Sequence, residues 1–166
     1  MTAAIANGGT RYKPIIMESI KTPDGRILYQ SESQVIGKVP VSEPTLRILK
    51  TGLWAVVNSD NGTARGSRLE DIEISGKTGT SQVISRKKDD TRSEEERPAH
   101  LRPHAWFVAY APSENPVIAV AVLIEHGEHG SSAAAPVARE LIKAYLRKPL
   151  AGEQVAQDSA EKDNSG

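Results

Sequence analysis

Two strand-length apolar runs, Ala105-Trp106-Phe107-Val108-Ala109-Tyr110-Ala111 and Val117 through Ile124, are separated by Pro112-Ser113-Glu114-Asn115-Pro116. A five-residue turn leaves no room for a crossover, so the two runs are expected to pair antiparallel. The second run is apolar at successive positions and is expected to be buried on both faces. This hairpin constrains the fold more than any other segment, because whatever surrounds it must cover a sheet.

The flanking segments supply that cover. Thr2 to Ala6 reads as the last turns of a helix, closed by Asn7-Gly8-Gly9. Ile15–Ile20 and Arg26–Tyr29 flank Pro23-Asp24-Gly25, a turn in which Pro presets φ and Gly accepts positive φ, so a second hairpin is expected there. Ser42 can cap a helix whose first turn holds Pro44. Leu46, Leu49, Leu53 and Val56 or Val57 follow at helical spacing, up to Asn61-Gly62. Ile72-Glu73-Ile74 alternates as a strand does. Residues 85–103 are polar, charged and without apolar period, which predicts a long solvated loop. A final helix starts near Ser131 or Ser132, with Ala134, Val137 or Ala138, Leu141, Ile142 and Tyr145 on one face, and stops at Pro149. Residues 1–149 then form one unit, and 150–166 a polar tail expected to be disordered. The layout predicts an α+β fold: a three-stranded antiparallel sheet with helices packed on it.

Composition removes several function classes. Lys plus Arg number 21 against 21 Asp plus Glu, and aromatic residues make up 4%, so neither bulk positive charge nor a stacking platform points to nucleic acid. The chain contains no Cys, which excludes a thiol nucleophile, a Cys-ligated zinc and disulfides. No apolar run approaches the ~20 residues of a membrane-spanning helix, and no basic n-region opens the chain as a signal peptide would.

The tripeptide Lys-Thr-Gly occurs twice. Lys50-Thr51-Gly52 falls inside the predicted amphipathic helix, where backbone groups are committed to helix bonds and cannot serve a ligand. Lys77-Thr78-Gly79, followed by Thr80, comes after the alternating 72–74 segment and is expected in a strand. A sheet edge offers N–H and C=O groups to an extended peptide, and Gly79 lets a ligand backbone approach closely. Lys77 supplies positive charge and Thr78 a hydroxyl for a carboxylate. The Thr80 N–H can point at an oxygen that gains charge in acyl transfer.

The run Ser75-Gly76-Lys77-Thr78-Gly79-Thr80-Ser81-Gln82-Val83 resembles the third signature of class B penicillin-binding proteins. Asn61-Gly62-Thr63-Ala64 is similar to a loop before that signature, and His104 through Pro112 to the strand after it. The resemblance extends over roughly residues 1–148, ending in the Ala-rich helix, and is strongest to the elongation type, penicillin-binding protein 2. It implies the C-terminal part of a serine transpeptidase/β-lactamase-like domain, incomplete here, in a peptidoglycan D,D-transpeptidase that cross-links stem peptides through a serine acyl-enzyme. Lys77 and Thr80 would then be catalytic; Thr78, Gly79 and Thr80 would bind substrate. No metal or cofactor is implied. Stem peptides and β-lactams are the expected ligands, and a cell-wall glycosyltransferase the expected partner. The expected location is the outer side of the inner membrane, held by an anchor elsewhere in the protein.

The other two signatures of the family, S-x-x-K and S-D-N, are spelled by Ser85-Arg86-Lys87-Lys88 and Ser59-Asp60-Asn61, but neither is expected to function. Ser85 follows Lys77 when the family's nucleophile precedes it, and it lies in the charged loop. Ser59 lies in a turn too close before Lys77. The nucleophile is therefore expected upstream of these residues, the chain alone is expected to be inactive and marginally folded, and Met1 is expected to be internal to a longer protein. His126-x-x-His129 has a ligand-like look, but it follows a strand and lacks a clear third ligand, so a loop at the mouth of the site is the expectation. His104 is expected to help anchor the long loop. Two other readings of the same edge are a non-catalytic β-lactam sensor and a module that adds a partner strand.

Overall fold

The computed structural model describes residues 1–84 and 98–147. Their elements are α1 (Thr2–Ala6), β1 (Thr10–Tyr12), β2 (Ser19–Lys21), β3 (Ile27–Gln30), β4 (Val35–Lys38), α2 (Glu43–Asn58), β5 (Ser75–Ser81), β6 (His104–Ala111), β7 (Ile118–Ile124) and α3 (Ala135–Leu146). The expected tail 150–166 and most of the expected loop, 85–97, lie outside the described residues. The described end of that loop holds one 3-10 turn, Ala99–Leu101.

The expected antiparallel sheet is present, in the order β5-β6-β7. Strands β6 and β7 pair without a slip from Ala105↔Ile124 to Ala111↔Ile118. The third strand begins later than its alternation suggests: Ile72–Ile74 are not strand, and pairing starts at Ser75. The buried Asn58 at the end of α2 explains the shift. Its side-chain amide donates to the Ile74 carbonyl at 2.8 Å and to the Trp54 carbonyl at 2.9 Å, so Ile74 faces the core and bonds to a helix.

The core lies on one face of this sheet. Ala105, Phe107, Ala109, Ala111 and Val122 pack with Ala134, Ala135, Ala138 and Ile142. Helix α3 seats itself through Ala135, Ala138 and Ile142, at i, i+3 and i+7, and its two alanines let it approach the sheet closely. Leu141 and Tyr145, expected on its buried face, are 50% and 55% exposed instead, and of the alternatives Val137 and Ala138 it is Ala138 that is buried. The expectation that the last strand is buried on both faces is likewise corrected. Ala119, Ala121 and Leu123 of β7 are exposed, because α3 covers only the alternate residues.

The opposite face is covered in part by α1 and α2. Helix α2 starts as its capping residues predict, with the Thr45 N–H donating to the Ser42 hydroxyl at 3.4 Å. It ends at Asn58, short of Asn61-Gly62. Between α1 and α2 the chain makes two small antiparallel pairs. The β2–β3 hairpin turns through Gly25 at φ 86°, as Pro-Asp-Gly predicts, though its first strand is shorter than residues 15–20. The β1–β4 pair encloses it in sequence and was not expected.

Candidate active site

All four residues of the second Lys-Thr-Gly-Thr copy lie on consecutive positions of β5, paired to β6 as Lys77↔Val108, Thr78↔Phe107, Gly79↔Trp106 and Thr80↔Ala105. Among the described residues β6 is the only strand beside β5, so the other edge of β5 is open. Two glycines set how tightly this strand is held. A Cβ at Gly76 would stand 2.6 Å from the Phe107 ring and 2.8 Å from the Val108 carbonyl oxygen. A Cβ at Gly79 would meet the Trp106 Cβ at 3.2 Å.

The polar groups follow the strand. Exposed Lys77 donates from Nζ to the Thr78 carbonyl at 2.7 Å, with the Thr78 hydroxyl at 3.4 Å. The Thr78 hydroxyl lies 3.4 Å from that of Thr63. Thr63 belongs to the Asn61-Gly62-Thr63-Ala64 loop, which is folded against the end of α2: a Cβ at Gly62 would meet the Val56 carbonyl oxygen at 2.5 Å. At the far end the Thr80 hydroxyl donates to the Glu128 carbonyl at 3.3 Å. One ammonium and three hydroxyls thus line an open strand edge, a set suited to an anionic, extended ligand.

Beside them a cavity of about 570 Å³ opens between α1, α2 and the sheet, with Ile5, Leu49, Leu53, Val56, Lys77 and Tyr110 among its lining. Tyr110 forms its floor and is fully buried. Burial pushes its phenol above the ordinary value of 10.0. Neighbouring Ser75 lowers it by less than burial raises it, and the Ser75 hydroxyl meets that of Ser113 at 2.8 Å.

The remaining candidates are engaged elsewhere. Lys50 of the first Lys-Thr-Gly copy lies on α2 and donates to the Ala6 carbonyl at 2.8 Å, while Thr51 donates to the Arg47 carbonyl at 3.0 Å. Ser59 donates to the Ala55 carbonyl and Asp60 pairs with Arg65 at 3.7 Å, so this segment finishes the helix. Ser85 lies outside the described residues. The His126 ring contacts the Arg102 carbonyl through Nδ1 at 3.0 Å and stacks obliquely on His104, with ring centres 4.9 Å apart. Among the described residues no three His, Asp or Glu side chains converge as a metal site. Sequence reading missed Thr63, Asn58 and the Glu128 carbonyl as neighbours of β5. Only Thr63 had a local signal, in its glycine-bearing loop.

Comparison with known proteins finds relatives over most of the chain. The penicillin binding protein transpeptidase domain family matches residues 1–143. Peptidoglycan D,D-transpeptidase MrdA of Haemophilus influenzae is 34% identical, over 90% of this chain and 23% of its own length. Peptidoglycan D,D-transpeptidase PbpA of Mycobacterium tuberculosis is 30% identical, over 89% of this chain and 28% of its own. The chain thus spans about a quarter of the length of these curated relatives. Among solved structures, a ceftriaxone acyl-enzyme complex of M. tuberculosis penicillin-binding protein A superposes with a TM-score of 0.67 at 30% identity, covering 88% of this chain and 31% of that one.

Proposed function

The chain belongs to the penicillin-binding protein transpeptidase domain family, and we propose that it supplies the substrate-holding edge of a peptidoglycan D,D-transpeptidase whose serine nucleophile is carried elsewhere in the longer protein. The observation that carries this reading is the placement of Lys77, Thr78, Gly79 and Thr80 along an unpaired strand edge. In the proposed reaction a serine Oγ attacks the carbonyl of the penultimate D-Ala of a stem peptide. The C–N bond to the terminal D-Ala breaks, and that residue departs as the free amine. An amine of a neighbouring stem then attacks the acyl-enzyme, forming the cross-link and returning the serine hydroxyl. A β-lactam follows the first half and stays bound.

The residues of β5 take distinct parts. Thr78 and Thr80 hold the donor's terminal carboxylate, and Lys77 adds positive charge beside it and supports proton transfer. The Thr80 N–H forms half of the oxyanion hole, with the nucleophile's own N–H as the other half. Gly79 lets the donor backbone lie against the strand. The carboxylate also favours Lys77 leaving its contact with the Thr78 carbonyl, because a charge-assisted bond is the stronger of the two.

The same reading extends to the setting. The enzyme works on the outer face of the cytoplasmic membrane, with a cell-wall glycosyltransferase as its partner and an anchor outside these residues. Among the described residues no helix is long and apolar enough to cross a membrane. A fluorescent penicillin tests the core of the proposal. The full-length protein should be labelled, and Lys77→Ala should slow labelling by about 10²–10³ while its thermal midpoint stays close to that of the parent. Labelling of residues 1–166 alone, at Ser59 or Ser85, would overturn it.

A further inference from the structure

This inference rests on the reading of Thr80 given above, and concerns what holds Thr80 in place. Its hydroxyl is anchored on the Glu128 carbonyl, in the loop between β7 and α3. That loop is not relaxed: His126 and Glu128 both adopt left-handed backbone, at φ 56° and 63°, which costs free energy for residues with a side chain. Four contacts to the segment that enters β6 hold it. The Glu128 N–H donates to the Pro103 carbonyl at 2.9 Å, and the Glu128 carboxylate pairs with Arg102 at 2.9 Å, with both side chains mostly buried. The His126 N–H donates to Nδ1 of His104 at 3.0 Å, and Nδ1 of His126 meets the Arg102 carbonyl at 3.0 Å. Gly130 then lies so close to the strands that a Cβ there would stand 2.2 Å from the Trp106 carbonyl oxygen and 2.8 Å from that of Gly79.

These bonds fix the ring states. Nδ1 of His104 accepts an N–H, so it carries a lone pair and the proton sits on Nε2. Nδ1 of His126 faces a carbonyl, so it carries a proton. Neither ring belongs to β5, yet both hold the backbone that holds Thr80. We infer that His104 is a positioning residue for the transpeptidase site, acting through the His126 N–H and the Glu128 carbonyl to set the orientation of Thr80.

The test uses the full-length protein and a fluorescent penicillin, with the acylation rate constant resolved from noncovalent affinity. His104→Ala should lower the rate constant about tenfold and affinity by only about threefold, because Thr80 holds the carboxylate in the ground state but its oxyanion donor acts mainly in the transition state. His104→Asn should recover most of the loss, because its Oδ1 can accept the same N–H where Nδ1 did. A second variant, Glu128→Gln, removes the pair with Arg102 but keeps the carbonyl, and should slow acylation about threefold, as a small misplacement does. If His104→Ala does not fold, the Glu128→Gln rate decides: a parental rate overturns the inference, and a slowed one supports it. A parent that labels while His104→Ala labels equally fast overturns this inference alone. So does His104→Asn acylating as slowly as His104→Ala. A parent that takes up no label overturns the site reading and this inference with it.

Discussion

The chain writes Lys-Thr-Gly twice and uses it in two unlike ways. On α2, Lys50 reaches back to the Ala6 carbonyl and Thr51 to Arg47, so both polar side chains bond the protein's own backbone. Gly52 has nothing within 4 Å of the place a Cβ would occupy. On β5, Lys77 and Thr78 stand at an open edge, and Gly79 is pressed against Trp106. The difference teaches that the side chains alone carry little of the motif's meaning. A helix consumes its backbone donors internally, whereas an edge strand leaves every second pair to be offered outward.

Substitutions at matched positions can break this comparison. The largest contrast is expected for lysine. In the full-length protein Lys77→Ala should lower the acylation rate by about 10²–10³, whereas Lys50→Ala should leave it within about twofold. Equal loss at both positions would erase the distinction. The next contrast is one of sign, read by denaturant unfolding. Gly52→Ala should stabilise by about 0.5–1 kcal/mol, because it adds a methyl in open space to a helix interior. Gly79→Ala should destabilise by about 1 kcal/mol, because Trp106 must give way. Lys50→Ala should cost about 1 kcal/mol through the bond lost to Ala6. The smallest effect is a control that touches neither copy. Arg147 bonds Asp71 at 2.5 Å and, as the leading cause, holds its carboxyl below the ordinary 3.8. A depressed carboxyl stabilises above its unfolded value, and the gain is lost as pH falls through its folded one. Asp71→Asn should flatten that part of an acid titration of stability, below about pH 4, without changing acylation near neutrality.

Local chemistry made part of this legible. Ser42 with Pro44 marked the start of α2, Pro-Asp-Gly marked the β2–β3 turn, and the five-residue link fixed the β6–β7 pairing. Alternation over 72–74 put the second Lys-Thr-Gly in a strand, although those three residues are not part of it. What the sequence hid was set by distant partners. Strands β1 and β4 pair across the intervening hairpin, with no turn of their own to announce them. Pairing of β5 starts at Ser75 because Asn58, on another element, takes the Ile74 carbonyl. Alternation within 72–74 could not reveal that. The apolar stretch of β7 gave no sign of which residues α3 would cover, and α3 buries Ala135, Ala138 and Ile142 while Leu141 and Tyr145 stay exposed. The loop at 125–130 was expected at the mouth of the site, but its bonds to Arg102 and His104 depend on backbone conformations that no composition signals.

Gly130 gives the molecule an adjustment that leaves its chemistry untouched. Any side chain at that position must lever the end of β5 away from the loop, since the Gly79 and Trp106 carbonyls already occupy the space. A substitution there would move the strand by fractions of an ångström while every polar group along its edge keeps its identity.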